Sequence, residues 1–265
     1  MGRVIPGLIL VACWLLLLLQ GSTLLFALVI ILGQGIGGYE YGRMALSEDS
    51  SSRPLFLAFL TVLPALSVCF FPQLGLGGGL VAAFLLLSLW TLRGYGEGVD
   101  SYTFLARASL GIVWVGVLGA HLLLLRQLPE GNYWILILTG ITAGSDTGAY
   151  FAGRAFGRHK LSPLISPNKT IEGAVGGIFA GMAAASLLAL LLLGSVPWLF
   201  ILLSAVVLGL LGICGDLVES VVKRATGTKD SGTILGGHGG ILDRADSMLF
   251  TAPLLYYLLL LFIVP

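Results

Sequence analysis

Long runs of apolar residues, separated by short polar breaks, follow one another along the whole chain. A helix that crosses a bilayer needs about 20 predominantly apolar residues. The pattern predicts nine such helices, at residues 4–19, 22–36, 55–71, 80–92, 102–125, 133–151, 173–193, 198–214 and 247–264. The runs are continuous rather than alternating, so spanning strands are not expected. The sequence therefore predicts an all-α, polytopic integral membrane protein with about nine transmembrane helices.

The basic residues predict how these helices are oriented. Cytoplasmic segments of membrane proteins carry an excess of Lys and Arg. If the N-terminus is cytoplasmic, every one of the 14 Lys and Arg residues except Arg126 falls on the cytoplasmic side. We therefore expect a cytoplasmic N-terminus, a location in the inner (cytoplasmic) membrane of the cell, and polar machinery that faces the cytoplasm.

The composition agrees with a protein embedded in lipid. The chain of 265 residues is 57% hydrophobic and 10% charged, with a mean hydropathy of +1.00. Soluble domains carry about 25% charged residues, so this chain could not cover its surface with polar groups in water. The formal net charge of +1 gives no reason to expect a nucleic-acid partner.

The polar residues divide the chain into two regions. We expect an N-terminal transmembrane region at residues 1–132, with about five helices, and a C-terminal region at residues 133–265, with about four. The second region contains two predicted cytoplasmic loops, 152–172 and 215–246, and is where we expect the chemistry.

Glycine spacing predicts one close helix contact. Gly173, Gly177 and Gly181 recur every four residues on the predicted seventh helix, and small residues at this spacing let a second helix approach closely. Packing within the monomer is the preferred interpretation, and a homodimer contact is the alternative.

The first polar cluster of the second region covers residues 145–173. Asp146 lies in an otherwise apolar run, where an ionisable group is costly and indicates function by default. Basic residues interleaved with glycines follow it, which suits polyanion binding; they are Arg154, Arg158, His159, Lys160 and Lys169. An ordinary loop on anionic lipid headgroups is the alternative, and His159 alone is interpreted as a surface or headgroup contact.

The second cluster, residues 215–247, gathers carboxylates at two helix ends. Asp216 and Lys223 share one face of a helix that leaves the membrane, and Asp243 and Asp246 share a face at the start of the last helix. Three converging carboxylates would repel one another unless a cation lay between them. Asp216, Asp243 and Asp246 are therefore predicted to bind Mg²⁺, which is usually held by one or two carboxylates and substrate phosphates. Helix capping is the alternative.

Two further features of the sequence stay open. His238, in a glycine-rich stretch, is either an acid–base group or a hydrogen-bonding group of the loop. Glu40 and Arg43, where the predicted second helix meets water, are interpreted as a solvated ion pair. Mg²⁺ alone, or Mg²⁺ with a second, monovalent cation, are the alternatives for the metal site.

Several of these segments resemble the integral membrane phosphatidate cytidylyltransferases, or CDP-diacylglycerol synthases. Residues 220–224 (SVVKR), 229–232 (KDSG) and 238–246 (HGGILDRAD) follow the long signature of that family in order and spacing. Residues 146–150 (DTGAY) and 166–173 (SPNKTIEG) resemble its other recurrent segment, and Glu40-Tyr41 is a weaker match. Ala245, Gly236 and Ile171 depart from the usual residues, but none of these departures removes a charge.

The resemblance implies that CTP and phosphatidate react to give CDP-diacylglycerol and pyrophosphate for phospholipid biosynthesis. It implies Mg²⁺-dependent catalysis by residues of the second cluster, namely Asp216, Lys223, Asp243, Arg244 and Asp246. The residues expected to contact the phosphates of CTP or phosphatidate are Asp146, Asn168, Lys169, Ser220, Arg224, Lys229 and His238.

Two other functions are alternatives. A CDP-alcohol phosphotransferase would carry a four-aspartate pattern on adjacent helices, which is missing here. An ion or phosphate transporter would place ionisable residues near the midplane of several helices, whereas here nearly all of them are predicted to lie at one face.

Overall fold

The computed structural model of this chain describes residues 4–46, 52–95, 100–234 and 239–264. Within these residues the backbone forms ten α-helices and one two-stranded antiparallel hairpin. The elements are α1 (Val4–Gln20), α2 (Thr23–Ala45), α3 (Ser52–Phe70), α4 (Gly75–Arg93), α5 (Ser101–Gly111), α6 (Gly119–Gln127), α7 (Gly131–Phe156), β1 (Lys160–Ser162), β2 (Ser166–Thr170), α8 (Ile171–Leu192), α9 (Trp198–Ala225) and α10 (Leu242–Phe262).

Each of the nine predicted apolar runs is helical, which confirms the helical class. Seven segments of the described residues are long and apolar enough to cross a membrane: Thr23–Ala45, Arg53–Phe70, Gly75–Arg93, Ser101–Gln127, Ile171–Leu192, Trp198–Ala225 and Leu242–Phe262. The segment Gly7–Gln20 is apolar but shorter. The protein is therefore a multi-pass membrane protein, and nine spanning helices remain a prediction.

Several helices are longer than the sequence predicted. Helix α9 continues to Ala225, so the first part of the predicted loop 215–246 is helical. The second run was expected to end at residue 36 and the fourth to begin at residue 80, but α2 continues to Ala45 and α4 begins at Gly75. Glycine is a poor helix former in isolation, but the glycines in the added parts of α2 and α4 allow close packing against α3. A Cβ at Gly42 would lie 2.8 Å from the Pro54 Cα, and one at Gly79 would overlap the backbone of α3.

The helices and loops form two compact units. The first consists of Met1–Leu124 with Ala225–Ala245, and the second of Leu125–Arg224 with Asp246–Pro265. The division predicted from the sequence, at residue 132, gives two continuous regions, whereas each observed unit combines two separate stretches of the chain. The first unit includes residues 225–245, which lie in the predicted C-terminal region.

In the first unit, a π-helical turn (Ile112–Leu118) joins α5 to α6. Such a turn interrupts the regular helical hydrogen bonds, so its carbonyls need other partners in a bilayer. The Gln34 amide of α2 donates to the Val115 and Gly116 carbonyls, at 3.3 and 2.9 Å. The polar side chain is thus used for packing inside this unit.

In the second unit, α7 and α8 pack through the predicted glycine face. A Cβ at Gly173, Gly177 or Gly181 would lie only 2.6–3.0 Å from a carbonyl oxygen of α7. The interpretation as packing within the monomer is therefore confirmed. This contact positions Asp146, which lies on α7.

The predicted loop 152–172 contains more regular structure than expected. Its first residues continue α7 to Phe156, and the hairpin β1–β2 occupies most of the remainder. Thr170 is the last residue of β2 and the N-cap of α8. Its side chain accepts a hydrogen bond from the Gly173 amide (3.1 Å). Short polar strands carry no hydropathy signal, so the sequence pattern does not predict them.

Candidate active site

A cavity of about 680 Å³ lies in the second unit, between the hairpin and helices α7, α8 and α9. Its wall has a polar part and an apolar part. The polar and charged lining residues are Thr142, Ser145, Asp146, Tyr150, Arg154, Asn168, Lys169, Thr170, Asp216 and Ser247. Leu161, Leu208 and Ile213 belong to the apolar part. Three predicted substrate-binding residues, Asp146, Asn168 and Lys169, and the predicted catalytic residue Asp216 therefore line one cavity.

An ion pair joins the hairpin to α9 at this cavity. The Lys169 ammonium contacts the Asp216 carboxylate, and the side chains are 25% and 33% exposed. Both groups thus keep access to solvent and to a ligand. A cation and an anion in this position can each bind one component of a metal–phosphate complex.

Close packing of α9 against α10 brings Asp216 near Asp246. The Ser247 hydroxyl donates to the Gly212 carbonyl at 3.1 Å. A Cβ at Gly215 would lie 2.8 Å from the Asp246 carbonyl oxygen, so glycine at this position permits the close approach. Asp216, which follows Gly215, and Asp246, which precedes Ser247, are therefore neighbours.

Acidic side chains converge on Asp246. Its carboxyl interacts electrostatically with Asp216 and Asp146 and shares a hydrogen bond with Glu219. Glu219 is 1% exposed and forms an ion pair of 2.8 Å with Lys223, one turn further along α9. Lys223 is thus held beside Glu219 and does not extend into solvent. Its positive charge offsets part of the negative charge of the carboxylates around Asp246.

These residues fit a divalent cation that is shared with a substrate. Within the described parts of the chain, no group of three or more His, Cys, Asp or Glu side chains is arranged to hold a metal by itself. Mg²⁺ does not require such a group, since one or two carboxylates and substrate phosphates usually suffice. Asp216 and Asp246 can supply those carboxylates, and their oxygen donors suit a hard cation.

Asp243 has different surroundings in the first unit. Its carboxylate accepts hydrogen bonds from the Ser231 amide (3.0 and 3.2 Å) and the Gly240 amide (2.7 Å). These bonds stabilise the turn that leads into α10, as expected for the capping alternative. The role of Asp243 as a metal ligand remains a prediction.

Other predicted residues have local partners. The Arg224 Nε atom donates to the Ile165 carbonyl at 3.4 Å, so Arg224 contacts the hairpin loop. Arg154 donates to the Tyr150 hydroxyl at 3.2 Å. Ser220 is half-buried on α9, and Lys229 and Arg244 are exposed in the first unit. His238 and Gly236 lie outside the described residues.

His159 is a contact of the hairpin base. Its Nδ1 atom lies 2.6 Å from a Glu172 oxygen, and the same carboxylate accepts the Arg158 and His159 amides. Glu172 thereby joins the start of α8 to the residues that follow α7. This arrangement agrees with the interpretation of His159 as a surface contact.

Two acidic residues have contacts that were not predicted from the sequence. Glu219 has the spacing of a helical partner for both Asp216 and Lys223, so a signal was present. Glu40 was wrongly interpreted as part of a solvated ion pair, because the structure buries it to 2% exposure. Its position in a glycine-rich extension of an apolar helix was the available signal.

Comparison with known proteins connects this arrangement with a family. Residues 1–262 match the family model described as "Cytidylyltransferase family". The chain is 34% identical over 264 residues to the phosphatidate cytidylyltransferase of Bacillus subtilis, covering 98% of this chain and 97% of the relative. It is 35% identical over 263 residues to that of Staphylococcus haemolyticus, covering 97% and 98%. It is 42% identical over 184 residues to that of Staphylococcus epidermidis, covering 69% and 68%.

The match extends over nearly the whole chain and is not confined to the motifs around the cavity. The chain therefore belongs to the cytidylyltransferase family.

Proposed function

We propose that this protein transfers the cytidylyl group of CTP to phosphatidate, forming CDP-diacylglycerol and releasing pyrophosphate. The observation that carries the proposal is the cavity where Lys169 and Asp216 meet, with an apolar wall beside the polar one. A membrane enzyme that joins a nucleotide to a lipid phosphate needs both kinds of surface. Relatives of near-equal length carry the name phosphatidate cytidylyltransferase.

The reaction requires charge neutralisation more than a strong base. The phosphomonoester of phosphatidate has a second pKa of about 6, as other such monoesters do, so it is already a nucleophile at neutral pH. The main barrier is the approach of two polyanions, and fixed cationic groups lower that barrier. Lys169 at the cavity and Lys223 beside the acidic cluster provide such groups.

Each set of residues has a proposed role. Asp146, Asn168 and Lys169 orient phosphate groups of nucleotide or lipid in the cavity. Basic groups of the signature hold CTP and the departing pyrophosphate; they are Lys223, Arg224, Lys229 and Arg244. Ser220 and His238 are proposed hydrogen-bonding groups of the same substrate phosphates.

Asp216 and Asp246 would hold Mg²⁺, with Asp243 as a predicted third ligand. When bound, the ion would neutralise charge on the nucleotide phosphates. A second, monovalent cation is a further proposal that the acidic surroundings of Asp246 support.

We further propose nine spanning helices with a cytoplasmic N-terminus in the inner (cytoplasmic) membrane. The distribution of Lys and Arg supports this orientation, and it would place the cavity where CTP is available. A homodimer is a further proposal, and its contact would lie elsewhere than on the glycine face of α8, which packs against α7 inside the second unit.

Purified protein in detergent, supplied with CTP, phosphatidate and Mg²⁺, tests the proposal. We expect pyrophosphate release that requires all three. A CDP-alcohol phosphotransferase would instead consume CDP-diacylglycerol and an alcohol, and a transporter would release no pyrophosphate. Either result would replace the proposed reaction.

A further inference from the structure

Glu40 is a buried carboxylate that lies far in the sequence from the residues it contacts. It lies on α2 of the first unit and is 2% exposed. Its oxygens accept hydrogen bonds from the Ile241 amide (3.1 Å), the Leu242 amide (2.9 Å) and the Ser231 hydroxyl (3.4 Å). The contacts of this residue are therefore with the start of α10 and the loop before it.

Two of those donors are groups that a helix cannot satisfy by itself. Helix α10 begins at Leu242, and the first amides of a helix have no partner within it. Such amides are usually capped by a nearby Ser, Thr, Asp or Asn, but here a residue of another helix supplies the oxygen atoms. A negative charge at a helix N-terminus is also favourable for the helix dipole.

Two glycines of the loop before α10 let its backbone lie directly against the Glu40 carboxylate. A Cβ atom at Gly232 or Gly240 would overlap the Glu40 carboxylate, so glycine at both positions allows the close contact. Neither glycine has a positive φ, which means that space rather than backbone conformation explains them. A side chain at either position would push the Glu40 carboxylate and the loop apart.

Ser231 extends the contact to the first turn of α10. Its hydroxyl touches Glu40 and accepts a hydrogen bond from the Asp243 amide at 3.3 Å, while its own amide donates to the Asp243 carboxylate. Glu40, Ser231 and Asp243 thus form one hydrogen-bonded group within the first unit. The turn that this group stabilises also carries Arg244, and Asp246 follows on the same helix.

We propose that Glu40 is a positioning residue that fixes the first turn of α10 and thereby orients the acidic and basic side chains that this helix carries. Its effect on turnover depends on the proposed cytidylyl transfer, whereas its effect on the α10 N-terminus does not. Gln at this position would keep the size but would direct an NH₂ group at backbone N–H donors, so at least one cap would be lost. A misplacement of about 1 Å in an active site can lower a rate by about 10²-fold.

The test compares Glu40→Gln with Tyr41→Phe. Tyr41 is the adjacent buried residue of α2 and donates one hydrogen bond to the Arg107 carbonyl at 2.9 Å, away from the loop. Both variants lose buried hydrogen bonding in one helix, but only Glu40→Gln changes the cap. Ser231→Ala serves as a second variant, because it removes the hydroxyl that contacts Glu40 and the Asp243 amide but keeps the Glu40 charge and its bonds to the Ile241 and Leu242 amides.

Two measurements are made on each variant, in detergent at a temperature where all are folded. Hydrogen exchange of the peptide that contains Ile241 and Leu242 should be at least tenfold faster in Glu40→Gln than in Tyr41→Phe. Pyrophosphate release should show a kcat at least tenfold lower in Glu40→Gln, with KM values for CTP and phosphatidate within threefold of the starting protein. Ser231→Ala should give smaller changes in the same direction.

The outcomes separate this inference from the proposed function. If the starting protein releases no pyrophosphate but the exchange difference is found, the reaction is wrong and the capping role holds. If Glu40→Gln fails to fold, Ser231→Ala decides, and unchanged exchange and kcat in that variant overturn the inference. Equal exchange and equal kcat in Glu40→Gln and Tyr41→Phe also overturn it.

Discussion

Lys169 and Asp216 form an ion pair that joins the β-hairpin to helix α9 at the wall of the cavity. Both side chains remain partly exposed, at 25% and 33%, so neither is committed to a buried structural pair. A phosphate can compete for Lys169 while a cation competes for Asp216. The pair is thus suited to open for the proposed substrates and the proposed metal ion.

Replacement of Lys169 with Met should lower kcat/KM for pyrophosphate release by about 10- to 100-fold, since a hydrogen bond to a charged group contributes about 1.5–3 kcal/mol. Lys160→Met is the matched control, because Lys160 is an exposed residue of the same hairpin and does not line the cavity. Steady-state kinetics at several CTP concentrations measure the effect. Equal losses in the two variants would argue for a general effect of hairpin charge.

Replacement of Asp246 with Asn should abolish Mg²⁺-dependent turnover while the protein still folds. Asp246 is the carboxyl on which Asp216, Asp146 and Glu219 converge, and the neutral amide of Asn would replace an anionic oxygen ligand with a much weaker one. Titration of activity with Mg²⁺ measures the effect, and Glu130→Gln at the start of α7 is the control. Near-normal turnover of Asp246→Asn at any Mg²⁺ concentration would refute its role as a ligand.

Removal of Mg²⁺ by a chelator should abolish pyrophosphate release by the starting protein, and addition of Mg²⁺ should restore it.

Replacement of Glu219 with Gln should destabilise the protein as well as reduce its activity. Glu219 is buried and paired with Lys223 at 2.8 Å, and removal of one partner of a buried pair costs about 3–5 kcal/mol. Thermal unfolding in detergent measures the first effect, and pyrophosphate release the second. The double variant Glu219→Gln with Lys223→Met should regain part of the stability but none of the activity. Recovery of both would show that the pair is purely structural.

Replacement of Gly177 with Ala should destabilise the second unit by about 1–3 kcal/mol, the usual cost of overpacking. The new Cβ would lie 2.6 Å from the Ser145 carbonyl oxygen, which belongs to the backbone and cannot rotate away. Gly33→Ala is a control with the opposite sign, because nothing lies within 4 Å of its Cβ position and Ala favours a helix over Gly by about 0.5–1 kcal/mol. A rise in stability for both variants would contradict the described α7–α8 packing.

Hydropathy and spacing predicted much of this architecture. Continuous apolar runs located the helices, and helical periodicity placed Asp216 and Lys223 on one face of α9. The glycines of α8 were correctly interpreted as a packing face. These predictions succeeded because each depends on residues that are close together in the sequence.

The features that were not predicted depend on residues far apart in the sequence or on packing against other elements. Glu40 caps a helix that lies about 200 positions away in the sequence, and no local pattern can show such a partner. The hairpin β1–β2 is short and polar, so its pairing depends on the helices beside it rather than on strand propensity.

The central claim is that the cytidylyl group itself moves to the lipid. Two preparations of CTP, radiolabelled at the α-phosphate or at the γ-phosphate, measure this directly when each is incubated with the protein, phosphatidate and Mg²⁺. The account predicts that the α-label appears in a lipid product and the γ-label appears in released pyrophosphate. Transfer of the γ-label to lipid, or no labelled lipid from either preparation, would contradict it.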